Sequence, residues 1–194
     1  MTAALDTLLA DIRSCRICAA ALALGPRPIV QAASTARLLI IGQAPGTSVH
    51  ASGVPWDDPS GERLCDWTGL QASELHDPAR IALMPMGFCY PGKGPSADLP
   101  PRPECAPLWH ARLRALLPEV RLTLLVGHHA LRNYLPAALR PTMTDAVRRF
   151  AEAHDGLFPL PHPSWRSTVW MRRNPWFAAE VLPALRRQIA TALA

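Results

Sequence analysis

Four short apolar runs, set between segments of helical spacing, constrain the fold of this chain more than any other feature. The runs are Arg37–Ile41, Ile81–Met86, Leu122–Val126 and Leu157–Leu160. Short apolar runs that end near glycine or proline are typical of buried strands. Because helices and strands alternate along the chain, we predict a three-layer α/β/α sandwich around a central sheet.

The predicted helices cover both ends of the chain and most of the segments between the strands. They are Ala3–Ser14, Arg63–Leu70, Trp109–Leu117, His129–Leu135, Thr144–Ala153 and Phe177–Leu193. The stretch Pro91–Pro103 is too rich in proline and glycine for a regular helix or a central strand, so we predict a loop there.

Size and composition favour a single domain over residues 1–194. The chain is 49% hydrophobic, which is enough for one core, and no linker or change of composition divides it. No apolar run approaches the roughly 18 residues that a membrane span needs. The segment Met1–Arg13 mixes acidic and apolar residues, unlike a signal peptide. We expect a soluble, cytoplasmic monomer without a membrane partner.

The charge of the chain is positive and comes almost wholly from arginine. The net charge is +5, and the 20 basic residues include one lysine, Lys93. Arginine forks match phosphate groups well, so the surface suits a polyanion such as DNA. The stretch Arg166–Phe177 mixes Arg172 and Arg173 with bulky side chains, as a DNA-binding surface does. A single lysine leaves little scope for Schiff-base chemistry.

Two loops follow predicted strands and are the first candidates for a functional site. Residues 42–46, with the sequence GQAPG, follow the first strand, and residues 161–165, PHPSW, follow the last. In parallel α/β sheets, functional loops lie at the carboxyl ends of the strands. We therefore expect both loops at the same edge of the sheet.

Four of the five cysteines form a pattern that is typical of metal binding. Cys15 and Cys18 are a C-x2-C pair, and Cys89 and Cys105 flank the proline-rich loop. Cytosolic thiols stay reduced, so metal ligation is a better explanation than disulfides. Zinc and an iron–sulfur cluster both use such ligands, and buried cysteines without a ligand are the alternative. We expect Cys65 to be a core residue.

The order of these motifs resembles the iron–sulfur uracil-DNA glycosylases of families four and five. The resemblance implies a central, mainly parallel four-stranded sheet and the removal of uracil from DNA. It also implies that Cys15, Cys18, Cys89 and Cys105 hold a structural [4Fe-4S] cluster, with zinc as the alternative. The protein would then be a divergent member of the uracil-DNA glycosylase superfamily.

Excision of a base requires an extruded nucleotide, an aromatic platform, donors for the base oxygens and a carboxylate near the sugar. The loop Gly42, Gln43, Ala44, Pro45 and Gly46 resembles the first family motif, which implies backbone contacts to the base and sugar. Gly46 stands where stricter family members have a tyrosine that excludes thymine, so the pocket would be permissive. Trp56 matches the aromatic platform of the family, with a core role as the alternative.

The acid of the first motif is missing from this chain. Ala44 stands where the best known family has an aspartate, and Gln43 stands where family four has a glutamate. Asp58, in D-P-S-G, matches the catalytic aspartate of family five, so we predict it to be the catalytic carboxylate, with Asp57 and His50 in reserve. The alternative role for Asp58 is a helix cap.

The segment HPSWRST resembles the second family motif. In that motif the histidine donates to uracil O2, a role that the resemblance assigns to His162. Ser164 would bind phosphate, and Trp165 or Arg166 would fill the gap that the extruded base leaves. Family five has an asparagine where Ser167 stands.

Three functional hypotheses follow. The first is a monofunctional glycosylase that removes uracil or a related deaminated base and leaves an abasic site. The second is a catalytically silent DNA-binding member of the same fold, because of Ala44 and of Pro85, which stands where families one and four have an asparagine that reads uracil. The proline side chain cannot form that bidentate contact. The third is an unrelated α/β protein held together by zinc.

Overall fold

A four-stranded parallel sheet forms the centre of the molecule. The computed structural model describes residues 2–194, and Met1 lies outside the described residues. The strands are β1 (Leu38–Ile41), β2 (Ile81–Leu83), β3 (Leu122–Val126) and β4 (Leu157–Leu160), in the order β2-β1-β3-β4. All three strand pairs are parallel. The predicted parallel sheet of four strands is therefore confirmed.

Helices cover both faces of this sheet. They are α1 (Thr2–Ser14), α2 (Thr47–Ser52), α3 (Pro59–Thr68), α4 (Ala72–Leu75), α5 (Ala111–Ala115), α6 (His128–Tyr134), α7 (Met143–Arg148), α8 (Ser167–Arg173) and α9 (Leu182–Leu193). Successive side chains of a strand point to opposite faces of a sheet. Accordingly, Leu39 and Ile41 pack with α1, α5 and α6, while Leu38 and Ile40 pack with α3 and α9. The three-layer α/β/α architecture is confirmed.

Several predicted elements differ in length from those observed. Strand β2 ends at Leu83 instead of Met86, because Pro85 has no N–H for the ladder. The chain still follows β1, since the N–H of Met86 donates to the Gly42 carbonyl at 2.9 Å. Helix α3 begins four residues before the predicted start, because Asp58 caps it and Pro59 occupies its first turn.

The predicted helices at 109–117, 144–153 and 177–193 are each divided. Residues 106–110 and 177–181 form π-helical turns that lead into α5 and α9. Helix α7 ends at Arg148 and is followed by a 3-10 turn. Helices α2, α4 and α8 lie in segments for which the sequence predicts no helix. Within residues 2–194, no helix is long and apolar enough to cross a membrane.

The proline-rich loop contains a small hairpin, here called the 92–99 hairpin. Lys93 and Asp98 pair across it, the Gly94 N–H donates to the Ala97 carbonyl at 2.8 Å, and the Leu99 N–H donates to the Gly92 carbonyl at 2.8 Å. The structure describes all of Pro91–Pro103 and shows no helix or longer strand there, in agreement with the predicted loop. The hairpin borders the site described next.

Candidate active site

A cavity of about 440 Å³ opens at the carboxyl ends of β1 and β4. Most of its lining comes from four segments: the 42–46 loop, residues 55–60 before and at the start of α3, the 92–99 hairpin and the loop after β4. Leu83 and Pro85, at the end of β2, also contribute. The structure brings most of the predicted site residues together here. Those that line the cavity are Gly42, Gln43, Ala44, Pro45, Gly46, Trp56, Asp58, His162, Ser164, Trp165 and Arg166.

Trp56 is fixed in the cavity wall by an unusual backbone conformation. Its φ angle is 61°, which is rare for a residue other than glycine and often marks a functional position. A Cβ atom on Gly61 would lie 1.8 Å from the Trp56 carbonyl, and one on Gly42 would lie 2.7 Å from the indole. The two glycines therefore make room for Trp56, whose ring stacks on His162 at 6.1 Å. The ring also packs against the core, as the alternative role requires, and its role as the platform for a base stays a prediction.

His162 lies in the loop after β4 and is half-buried. Gly127, at the end of β3, has a φ of 86° and lies so close that a Cβ there would be 3.2 Å from the Cβ of His162. Burial lowers the pKa of His162, with partial opposition from the negative charge of Asp58. The imidazole is therefore neutral at neutral pH and can donate an N–H without losing its proton.

Arg63 holds residues 161–166, here called the His162 loop, to α3. Its guanidinium donates to the Ser164 carbonyl and to the Ser167 hydroxyl, the latter at 3.5 Å. The buried Ser167 hydroxyl also donates to the Ser164 carbonyl, and the Ser164 N–H donates to the His162 carbonyl at 2.8 Å. Arg63 is thus a positioning residue that the sequence does not distinguish from the many other arginines.

Two carboxylates, one of them unpredicted, lie beside Gly46. Asp58 caps α3, because its Oδ1 accepts the Gly61 N–H at 2.9 Å. The Oδ2 atoms of Asp58 and Asp98 lie 3.7 Å and 3.8 Å from the position that a Cβ of Gly46 would occupy. The Tyr90 hydroxyl donates to Oδ1 of Asp98 at 3.2 Å. Each carboxylate is therefore held through one oxygen and leaves the other near Gly46.

Pro85 lines the cavity, and its carbonyl is held by the buried His110, which in turn contacts the half-buried Tyr134. The Nε2 atom of His110 lies 3.1 Å from the Pro85 carbonyl, and its Nδ1 lies 2.6 Å from the Tyr134 hydroxyl. Burial lowers the pKa of His110 to about 4, so the ring is neutral. Because a carbonyl only accepts, Nε2 carries the proton and Tyr134 donates to Nδ1. The position offers a base no side-chain donor.

Trp165 and Arg166 stand at the mouth of the cavity. The Trp165 side chain is 72% exposed, and the Arg166 guanidinium lies 5.2 Å from the centre of its ring. Arg166 also donates to the Ser96 carbonyl at 3.2 Å, which connects the His162 loop to the 92–99 hairpin. An exposed aromatic ring beside a cation is compatible with the predicted contact to DNA.

Four other predicted residues, all within the described part of the chain, lie outside the cavity lining. Asp57 and His50 were the reserve candidates for the acid, and neither lines the cavity. Arg172 and Arg173 lie on the exposed last turn of α8. Their contact with DNA phosphates stays a prediction.

The four cysteines of the predicted metal site line a second, small cavity. Cys15, Cys18, Cys89 and Cys105 share it with an otherwise mostly apolar wall. Burial raises the pKa of Cys89 and of Cys105 to about 11, and backbone N–H groups that donate to both sulfurs oppose this. Within residues 2–194, no three histidine, cysteine or acidic side chains lie close enough together to hold a single metal ion. The donor set of four thiols with backbone N–H donors fits a thiolate-ligated cofactor.

Cys65 lies apart from this cavity. It is half-buried on α3 and packs against the core on the opposite face of the sheet. Burial raises the pKa of its thiol, and the charge of Asp66 adds to this effect. These surroundings agree with the predicted core role.

Arg27 connects the cysteine cavity to the candidate active site. Its backbone N–H donates to the Cys89 sulfur. Its guanidinium donates to the carbonyls of His50 and Ala51, the latter at 2.8 Å, at the end of α2. A Cβ on Gly53 would lie 2.5 Å from the guanidinium, so the glycine is needed for this contact. Helix α2 directly follows the 42–46 loop.

A comparison with protein families agrees with this arrangement. The family model described as the uracil DNA glycosylase superfamily matches residues 30–186. The match contains every residue named above as lining the candidate active site, together with Cys89 and Cys105. It covers well over half of the chain, and the parallel four-stranded α/β fold is consistent with it. This chain belongs to the uracil DNA glycosylase superfamily.

Proposed function

We propose that this protein is a monofunctional DNA glycosylase that hydrolyses the N-glycosidic bond of uracil or a related deaminated base. The observation that carries the proposal is the cavity that unites the 42–46 loop, Trp56, Asp58 and His162. A volume of about 440 Å³ lies within the range of small-molecule sites and accommodates an extruded base with its sugar. The product would be an abasic site and a free base.

His162 is proposed to stabilise the leaving base. Cleavage of the glycosidic bond places negative charge on the base, and a donor at one of its oxygens stabilises that charge. The lowered pKa of His162 keeps the ring neutral, so it donates a hydrogen bond and retains its proton. The indole of Trp56, stacked on this imidazole, would provide the wall against which the base lies.

Asp58 is proposed to stabilise the positive charge that develops on the sugar. Its cap contact with Gly61 fixes the side chain, so the free Oδ2 keeps its place beside Gly46. The cap and the catalytic role are therefore compatible. Because Gly46 has no side chain, the pocket would also admit bases larger than uracil, such as hypoxanthine and xanthine.

The remaining residues support a monofunctional reaction on DNA. Trp165 and Arg166 would occupy the gap that the extruded nucleotide leaves, while Arg172 and Arg173 would contact phosphates. Lys93 is the one lysine of the sequence, and it is exposed on the 92–99 hairpin outside the cavity lining. We therefore propose hydrolysis by water without an amine intermediate.

We also propose that Cys15, Cys18, Cys89 and Cys105 hold a [4Fe-4S] cluster, in which each thiolate would bind a different iron. Zinc is the alternative, and it would need at least three of these thiols to come closer together than they lie here. Such a cofactor would be structural, because it would join the end of α1 to the segments that carry Cys89 and Cys105. Metal ligation would deprotonate thiols whose pKa burial raises. Iron and sulfide analysis with a visible absorption spectrum tests the proposal. A colourless protein that contains zinc would support the alternative.

The test of the enzymatic proposal is incubation with single- and double-stranded DNA that contains uracil, hypoxanthine or xanthine, followed by hot alkali. We expect strand cleavage at the modified position with at least one substrate. Asp58→Ala should slow this cleavage about 10²–10³-fold, whereas Asp57→Ala, at an exposed neighbour outside the cavity, should not. If the unsubstituted protein cleaves none of the three bases, the enzymatic proposal is wrong.

A DNA-binding protein without excision activity is the second candidate. Two lining residues favour it: Ala44 and Pro85 stand where other families of this superfamily carry an acid and an asparagine, and both side chains are inert. In this case a gel-shift measurement would show binding of the same DNA substrates, and hot alkali would reveal no cleavage.

A further inference from the structure

We propose that Asp98 is a second catalytic carboxylate of this cavity and that Tyr90 positions it. The inference rests on the proposed glycosylase function and adds a base for the attacking water. Asp98 lies on the 92–99 hairpin and lines the cavity together with Asp58 and His162. No residue pattern in the sequence predicts it, because the hairpin reaches the site only in the folded chain.

The two carboxylates lie beside the same residue, Gly46. One oxygen of Asp58 and one of Asp98 each lie within 4 Å of the place where a Gly46 side chain would begin. Enzymes that cleave glycosidic bonds commonly divide the work between two carboxylates, one that stabilises the sugar cation and one that activates water. The cavity contains both components.

The side chains of Asp58 and Asp98 differ in their surroundings. Asp58 is half-buried and caps α3 through Oδ1, which suits a fixed charge beneath the sugar. Asp98 is exposed at the cavity, where water has access, and its Oδ1 is held by the Tyr90 hydroxyl. We therefore assign the stabilising charge to Asp58 and the activation of water to Asp98.

Hydrogen bonds also connect the 92–99 hairpin to the rest of the site. Lys93 and Asp98 pair across the hairpin, and Arg166 from the His162 loop donates to the Ser96 carbonyl at 3.2 Å. The buried Tyr90 side chain holds the hairpin through its hydrogen bond to Asp98. These contacts keep Asp98 close to the groups that bind the base and the sugar.

The proposed hydrolysis needs no reactant other than the DNA and one water molecule. The water oxygen forms a bond to C1′ of the deoxyribose while the bond between C1′ and the base nitrogen breaks. The electron pair of that bond leaves with the base, whose carbonyl oxygen accepts the His162 N–H. One water proton passes to Asp98, which releases it to solvent or to the base. The products are the abasic sugar and the free base.

The test compares Asp98→Asn with Asp57→Asn in single-turnover excision on the DNA substrate that the unsubstituted protein cleaves. Loss of a general base lowers rates by about 10²–10⁴-fold, so we expect such a loss for Asp98→Asn and a near-normal rate for the exposed control. DNA affinity, measured by gel shift, should be unchanged. If Asp98→Asn excises at the normal rate, the inference is overturned, whereas an inactive unsubstituted protein would refute the proposed function instead.

Tyr90→Phe and a chemical rescue make the test independent of folding defects. Removal of one hydrogen bond to a charged group corresponds to about a tenfold loss of excision rate, which we expect for Tyr90→Phe. If Tyr90 acts through Asp98, the double variant should excise no more slowly than Asp98→Asn alone. Added formate should restore part of the rate of Asp98→Ala and none of that of Asp58→Ala. Additive losses from Tyr90→Phe and Asp98→Asn, or no rescue by formate, would contradict the assignment.

Discussion

Asp58 combines a structural and a proposed catalytic role, and three substitutions separate the two. Its Oδ1 caps the ten-residue helix α3 through the Gly61 N–H, while its Oδ2 lies beside Gly46 in the cavity. Alanine removes both the cap acceptor and the charge. Asparagine and serine remove the charge but keep an oxygen that can cap the helix.

The expected magnitudes follow from these contacts. Loss of one N-cap hydrogen bond costs about 1 kcal/mol of unfolding free energy. In a domain of this size, that lowers the melting temperature of Asp58→Ala by roughly 2–4 °C. Asp58→Asn and Asp58→Ser should melt close to the unsubstituted protein. All three should excise about 10²–10³-fold more slowly, because each lacks the charge that stabilises the sugar cation.

Thermal unfolding and single-turnover excision, measured on the same preparations, decide between the roles. Asp57→Asn is the control for a lost surface charge next to the site. Normal excision by Asp58→Asn would show that the residue is only a cap and would refute the catalytic assignment. An unchanged melting temperature for Asp58→Ala would show that the cap contributes nothing.

Three further predictions concern the surroundings of the site. Burial lowers the pKa of His110 in the folded protein to about 4, so between pH 6.5 and 4 the unfolded chain binds a proton that the folded protein does not. The free energy of unfolding should therefore decrease as the pH falls through this window, by up to roughly 3 kcal/mol. Urea unfolding should show a shallower decrease for His110→Gln. Arg63→Met frees the Ser164 carbonyl and the His162 loop, so excision should drop about tenfold or more while gel shifts still show DNA binding, and Arg63→Lys should recover part of the rate. Cys89→Ser should lose visible absorbance and bound iron and should melt at a lower temperature, whereas Cys65→Ser should keep the absorbance.

The sequence predicts the sheet and the two site loops because their signals are local. Strands β3 and β4 have the predicted bounds, since each is a mostly apolar run that Gly127 or Pro161 follows. The position of the 42–46 and 161–165 loops then follows from parallel strand order, which places their carboxyl ends at one edge. Trp56 and Asp58 reach the same cavity because α3 begins directly after them.

Other parts of the site depend on contacts between distant segments. Arg63 meets Ser164 across 101 positions of the chain, and no local pattern marks either residue as a partner. Asp98 reaches the cavity only because the 92–99 hairpin folds over it. Helices α2 and α8 have six and seven residues, too few to be stable by propensity alone, so their existence depends on tertiary contacts.

Arg27 illustrates how such contacts join the two sites of this protein. An isolated helix as short as α2 leaves its terminal carbonyls unsatisfied, and the Arg27 guanidinium bonds those of His50 and Ala51. The same residue donates its backbone N–H to Cys89 in the cysteine cavity. Because α2 directly follows the 42–46 loop, a cofactor that fixes Cys89 would also fix the loop proposed to hold the base and the sugar. A structural cofactor can therefore affect excision without touching the substrate.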